Sequence, residues 1–222
     1  MVLEPKLQRV YREIQKQLFY IIPEKWSKVY LYSSILERSN NLDTGELYFY
    51  YIPKGVLKKK PVNVYEIPNK FSIEEKEYLK LVDKLYKKIK ELQQISVELE
   101  GEKWNSIIIS IADFKFEVEY NYDEDLFLEF NSYEKHLIFR YKYLRYPLSS
   151  YNKKEQDIII KYENIINNNK PKIKTYSEAM YELPYEVIEE NTKSANIQFV
   201  KEEELEATEE KEIKSQILKS GY

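Results

Sequence analysis

Residues Phe114 to Tyr122 alternate without a break: Phe114, Phe116, Val118, Tyr120 and Tyr122 fall on one side of an extended chain, Lys115, Glu117, Glu119 and Asn121 on the other. Such a segment folds as a strand with one face on a core and one carrying charge. Just before it, Trp104–Ala112 is a β-branched apolar run suited to the middle of a sheet. The Asp113–Phe114 pair must turn the chain between the two. Successive strands joined by so short a turn lie antiparallel.

The other periodicities extend this sheet. Trp26–Leu36 and Glu46–Ile52 read as strands, and the Asn40–Glu46 stretch has turn chemistry, with Gly45 available for positive φ. Val62–Ile67 reads as a short further strand, and His136–Leu144, which alternates again, as another. Helical spacing over residues 5–21 collects Leu7, Val10, Tyr11, Ile14, Leu18 and Ile21, with Pro5 tolerated in the first turn and Pro23 as the stop. A second helix is expected to open at Ser72 with Glu75 as its capping-box partner, to carry Ile73, Tyr78, Leu81, Leu85, Ile89, Leu92 and Ile95 as its apolar stripe, and to end near 97, before Gly101. A third starts with Asn152 as N-cap and Glu155 at the third helical position, burying Ile158, Ile159, Tyr162 and Ile165. The expected fold is α+β, an antiparallel sheet with helices packed on one side. Composition shifts at Asn167–Lys172. The expected division is a domain of residues 1–168 and a partly helical C-terminal extension, 169–222, with a charged helix over about 201–219.

Several function classes are excluded. The four glycines, at 45, 55, 101 and 221, are too scattered for a glycine-rich phosphate loop, which removes Rossmann and P-loop readings. The absence of cysteine removes disulfides, thiolate metal sites and Cys nucleophiles. No apolar run approaches the ~18–20 residues that cross a bilayer, and the first residues lack the apolar stretch of a secretory signal. The expected location is the cytoplasm, with no membrane partner. A net charge of −3 argues against direct nucleic-acid binding.

The acidity is local. From Asp113 to Glu134 there are eight acids and one base, a net −7 within a chain of −3, which leaves the other 200 residues at +4. A clustered negative field repels nucleic acid and speeds association with a basic partner. Tyr48, Phe49, Tyr50 and Tyr51 cannot all face a core, so some tyrosine is left for a surface, where it favours interfaces. Other readings stay open. Glu117 and Glu119 fit the solvated face of a strand, and Asp123 with Asp125 fits a Mg²⁺-binding or acid–base pair in an enzyme. The single histidine, His136, has no second His or Cys to share a metal and reads as structural or surface-exposed. An interaction adaptor that docks through the charged tail is a third possibility.

"IIPEKWSKVYLYSSI" (21–35), "ELYFYYI" (46–52), "WNSIIISIADFKFEVEYNYDE" (104–124) and "FRYKYLRYP" (139–147) together resemble the YezG-like immunity (antitoxin) family of bacteria. The likeness is spread over roughly residues 7–166 and rests on the order and spacing of these segments. Two positions depart from the family pattern: Phe114 stands where the hairpin glycine is expected, and Arg145 where a small residue often follows Y-K-Y-L. The resemblance implies a cytoplasmic protein without catalytic residues or cofactors. It implies a protein that binds and neutralises a cognate toxin, commonly the nuclease domain of a secreted polymorphic toxin, often one exported by a type VII system. On charge alone, the toxin-binding surface is expected at Glu117, Glu119, Asp123, Glu124 and Asp125. Tyr48, Tyr50 and Tyr122 are the expected aromatic anchors, although Tyr122 fits the core equally well.

Overall fold

The computed structural model describes residues 4–37, 43–55 and 59–179. In chain order these form α1 (Pro5–Ile21), β1 (Trp26–Glu37), β2 (Asp43–Pro53), β3 (Val62–Asn63), α2 (Ile67–Phe71), α3 (Glu75–Glu100), β4 (Ser106–Ala112), β5 (Lys115–Asn121), α4 (Glu124–Leu128), α5 (Ser132–Lys142), α6 (Lys153–Asn169) and β6 (Ile173–Ala179). The strands make one six-stranded antiparallel sheet in the order β3-β2-β1-β4-β5-β6. The architecture is therefore α+β, with the β-branched strand β4 in the interior, where its apolar run can be covered on both sides.

One face of the sheet holds the main core. Val29 and Leu31 of β1, Phe49 and Tyr51 of β2, Ile107 and Ile109 of β4, and Phe116 and Val118 of β5 are all buried there. Against them pack Val10, Ile14 and Leu18 of α1 and Leu85, Ile89 and Leu92 of α3, the residues that helical spacing placed on one stripe. Each such side chain contributes about 1.5–3 kcal/mol by leaving water. Strand β5 keeps its alternation, with Phe116, Val118 and Tyr120 buried between half-exposed Glu117 and Glu119.

Local departures have local causes. Ser72 does not cap α3. It closes α2 in the left-handed region, φ 55°, and Glu74 caps α3 by accepting from the N–H groups of Lys76 at 3.2 Å and Glu77 at 2.8 Å. Starting the helix two residues later leaves Ile73 just ahead of the cap and Tyr78 in the first turn, both in the same core, the placement of a hydrophobic staple. The helix then runs to Glu100, and Gly101 ends it with φ 70°. Gly45 lies in β2 opposite Ile35, not in a turn of positive φ. Its hydrogen matters for space: a Cβ there would collide with the Ser34 carbonyl and the Tyr86 ring. Of Val62–Ile67 only Val62 and Asn63 are extended, because the Asn63 side chain accepts from the Tyr65 N–H at 3.1 Å and starts a 3₁₀ turn.

The largest revision is His136–Leu144, which is helix α5 to Lys142 and then a closing turn, and not a strand. Asn131 and Glu134 form a capping box at its start. Leu137, Ile138 and Phe139 are buried in succession because α5 is enclosed on more than one side: Phe139 meets the sheet, while Leu137 meets Ile159 of α6 and Tyr151. A helix covered over so wide an arc loses the simple stripe and can mimic alternation. The capping box predicted for α6, Asn152 with Glu155, is present. The sheet thus carries helices on both faces, α1 and α3 on one, α5 backed by α6 on the other. Past the composition change, Ile173–Ala179 adds the edge strand β6 to β5. The charged helix expected over about 201–219 lies outside the described residues.

Candidate functional site

Strand register fixes what the second face of the sheet presents. Reading across neighbouring strands, Thr175, Glu119, Ile108, Tyr32 and Tyr48 form one row, and Ser177, Glu117, Ser110, Tyr30 and Tyr50 the next. Helix α5 lies on these rows through His136, Phe139 and Tyr143, which share a side at spacings of three and four. The Phe139 ring centroid is 6.4 Å from that of Tyr32, 6.1 Å from Tyr48 and 6.1 Å from Tyr50. His136 stacks on Tyr48 at 4.4 Å, and its Nε2 shares a hydrogen bond with the Tyr50 hydroxyl at 2.9 Å. The Tyr48 hydroxyl donates to the Ser132 carbonyl at 2.7 Å. Burial, with the Arg140 cation adding to it, holds the His136 imidazole below its ordinary value, so the ring is neutral at pH 7.

Beside this aromatic stack, α4, α5 and α6 roof a cavity of about 100 Å³ over β4 and β5. Phe127, Phe130, Ile138 and Phe139 make apolar walls, and Glu119 and Asn121 are polar groups in the lining. Glu119 accepts from the Tyr143 hydroxyl at 3.1 Å and from Lys142 Nζ at 3.4 Å. Burial, then the nearby Glu119 charge, pushes the Tyr143 phenol well above its ordinary range. The Lys135 amine sits 3.7 Å from the Phe127 ring centroid, and burial lowers its pKa.

The eight residues singled out from sequence are therefore not one surface. Glu119 faces the cavity, and Tyr48 and Tyr50 lie beneath α5. Glu117 is paired with Lys115 at 2.6 Å. Asp123 caps α4, accepting from the Leu126 N–H at 2.8 Å. Tyr122 packs against the main core, donates to Glu100 at 3.3 Å and lies under the Lys174 amine. Burial first, then Glu100, pushes its phenol up to about 12. Glu124 and Asp125 remain exposed in the first turn of α4 and make no ion pair among the described residues. Asp113 and Glu124 adjoin opposite ends of β5, about 23 Å apart by strand rise, so one acidic stretch of sequence is divided in space. Asp123 and Asp125 do not line the cavity, and no three His, Asp or Glu side chains among the described residues are grouped as a metal site needs. Sequence reading missed Lys142 and Tyr143 as partners of Glu119 and His136 as the link between Tyr48 and Tyr50. Helical spacing of His136, Phe139 and Tyr143 was the available signal.

A family model described as YezG-like immunity protein matches residues 7–158. The chain belongs to that family. It is 29% identical over 170 residues to the immunity protein YezG of Bacillus spizizenii, covering 76% of this chain and 98% of the relative. To the immunity protein YezG of Bacillus subtilis strain 168 it is 27% identical over 139 residues, 62% of this chain and 87% of the relative. To the type VII secretion system protein EsaG of Staphylococcus aureus it is 26% identical over 144 residues, 64% and 83% of the two chains. Membership of the YezG-like family gives the chain an immunity, or antitoxin, role. The two departures from the family pattern share a conformation: Phe114 has φ 60° and Arg145 φ 58°, both in the left-handed region that favours glycine. No helix among the described residues is long and apolar enough to cross a membrane.

Proposed function

We propose that the chain binds a cognate secreted toxin domain, a nuclease, in the cytoplasm and neutralises it by stoichiometric binding rather than by catalysis. The observation that carries this reading is the match to immunity proteins over residues 7–158, which spans both helical layers and most of the sheet. The name of the staphylococcal relative supports a toxin exported by a type VII system. Within the fold, Glu124 and Asp125 are the acids presented to a basic partner, on the helix whose Leu126 and Phe127 line the cavity. Asp123 adjoins them as the cap of that helix and Tyr122 precedes it, while Glu117 lies farther along β5, paired with Lys115. Glu119, Tyr48 and Tyr50 act from beneath, by holding α5 and so setting the shape of the surface above.

A secreted toxin domain encoded in the same genome, sought first next to this chain's gene, provides the test. Expressed alone it should arrest growth, and co-expression of the chain should restore it. Unrelieved arrest, with both proteins soluble at comparable levels, would refute the reading.

A further inference from the structure

A single exposed aromatic ring carries nothing by itself, since folded proteins leave many apolar side chains in water. Phe114 differs because two unfavourable features coincide in it. It is 82% exposed, the most exposed large hydrophobic side chain among the described residues. It also has φ 60°, next to Asp113 at φ 53°, so both central residues of the β4–β5 reversal adopt the positive φ of a type I′ turn. Aspartate tolerates that region through local hydrogen bonding, whereas the Cβ of a bulky residue crowds the following carbonyl. The other non-glycine residues with positive φ among the described residues, Ser72, Asp113, Arg145 and Lys170, are all polar or charged. Glycine would fit the turn without strain. The fold therefore keeps a strained backbone and a wet ring at one position and gains no packing in return.

The surroundings suit a projecting contact. In register, Lys115 lies between Ala112 and Ala179, and Glu117 between Ser110 and Ser177, so small side chains border this end of the sheet. Asp113 and Lys115 flank the ring, Lys115 is paired with Glu117, and Lys28 lies opposite Ala112 in register, so two acids and two bases border this end of the sheet. The ring stands on a low, nearly neutral shoulder, where a partner can close around it without burying an unbalanced charge.

We infer that Phe114 is the specificity anchor of the toxin contact, inserting into an apolar pocket on the cognate toxin that accepts an aromatic side chain. This rests on the function proposed above and names one of its contact residues. The seven residues of β5 span about 23 Å, and a standard interface of about 800 Å² per partner is about 30 Å across. One toxin domain can therefore reach both Phe114 and the acids of α4.

The test compares the full chain with Phe114→Gly and Phe114→Trp in binding to the cognate toxin domain of the same genome. Phe114→Gly should raise Tm by about 2–4 °C, as turn strain is relieved, and weaken Kd by about 30-fold or more, mainly through faster dissociation. Phe114→Trp should stay within a few-fold of wild type. A structural role would make stability and affinity fall together, so their opposite movement is diagnostic. Affinity of Phe114→Gly within about threefold of wild type overturns the anchor and leaves the immunity role standing. A wild-type chain that does not bind the toxin overturns both. Because the chain has no cysteine, Phe114→Cys carries its one thiol, and rapid maleimide labelling of the free chain is expected. Slow labelling at every concentration would show the site covered by the chain's own residues, and slowing with concentration would show a second copy there. Either result overturns the assignment to the toxin.

Discussion

Truncating Phe139 to alanine tests the packing on which the second face depends. The side chain is 2% exposed, with four tyrosine rings around it: Tyr32, Tyr48, Tyr50 and, at 5.4 Å, Tyr143. Removing a buried phenylalanine costs about 3–5 kcal/mol, with the upper end applying where the walls cannot close in. Closure is hindered here, because α5 is fastened to the sheet through Tyr48 and Tyr50 and to α6 through Leu137. A loss near 4 kcal/mol is a large part of the 5–15 kcal/mol that holds a typical domain folded and corresponds to a fall of about 10 °C in Tm. Urea unfolding should show the midpoint shift at unchanged slope, and hydrogen exchange should quicken most over residues 132–142. Ile160→Ala, on the exposed side of α6 at 47% exposure, is the control and should stay within about 0.5 kcal/mol. A Phe139→Ala cost below about 1 kcal/mol would refute the docking of α5 on the sheet.

Gly45→Ala should destabilise by about 1–3 kcal/mol in the same unfolding assay, because its Cβ meets the Ser34 carbonyl, which belongs to the backbone of a paired strand and cannot swing aside. For His136 the folded state favours the neutral ring, so the unfolded chain binds the proton more readily. Stability should be level above about pH 7, fall as pH drops through the ordinary 6.5 toward the lowered native value, and level off below it. His136→Gln should flatten Tm between pH 7.5 and 5.5, and the chain's one histidine gives a single imidazole NMR signal by which to follow the titration. Glu124→Lys combined with Asp125→Lys should slow toxin association about tenfold and weaken its salt dependence, while leaving Tm within about 3 °C. Association kinetics unchanged at low salt would remove these two acids from the interface.

The parts of this fold that could be read from sequence are those in which one local rule acts alone. The β4–β5 hairpin follows from strict alternation beside a β-branched run, α1 from its stripe and its two prolines, and α6 from its Asn152–Glu155 box. Reading failed where two environments compete for one segment. Residues 136–144 alternate because α5 is covered by the sheet on one side and by α6 on another, and the Asn131–Glu134 box just upstream, with the helical spacing of His136, Phe139 and Tyr143, is what marks them as helix. Strand β6 was illegible because an edge strand buries little. Of Ile173–Ala179, Tyr176 stacks on Tyr11 at 4.8 Å and Glu178 accepts from Gln15 at 3.0 Å, which leaves no apolar alternation to find. The acidic surface looked continuous because Asp113 to Glu134 is continuous in sequence. Folding spreads those charges along a strand and gives Glu117, Glu119 and Glu129 lysine partners, two of them from distant positions, Lys142 and Lys161.

A titration of the toxin domain bears most directly on the account. With the toxin held well above the dissociation constant, its catalytic activity is followed as the purified chain is added, and the mass of the complex is measured by light scattering. Neutralisation by binding predicts a linear loss of activity that reaches zero at one chain per toxin, with a 1:1 complex in solution. Activity that persists at tenfold excess of the chain would contradict it. So would activity abolished by a small fraction of an equivalent, which would make the chain a catalyst acting on the toxin.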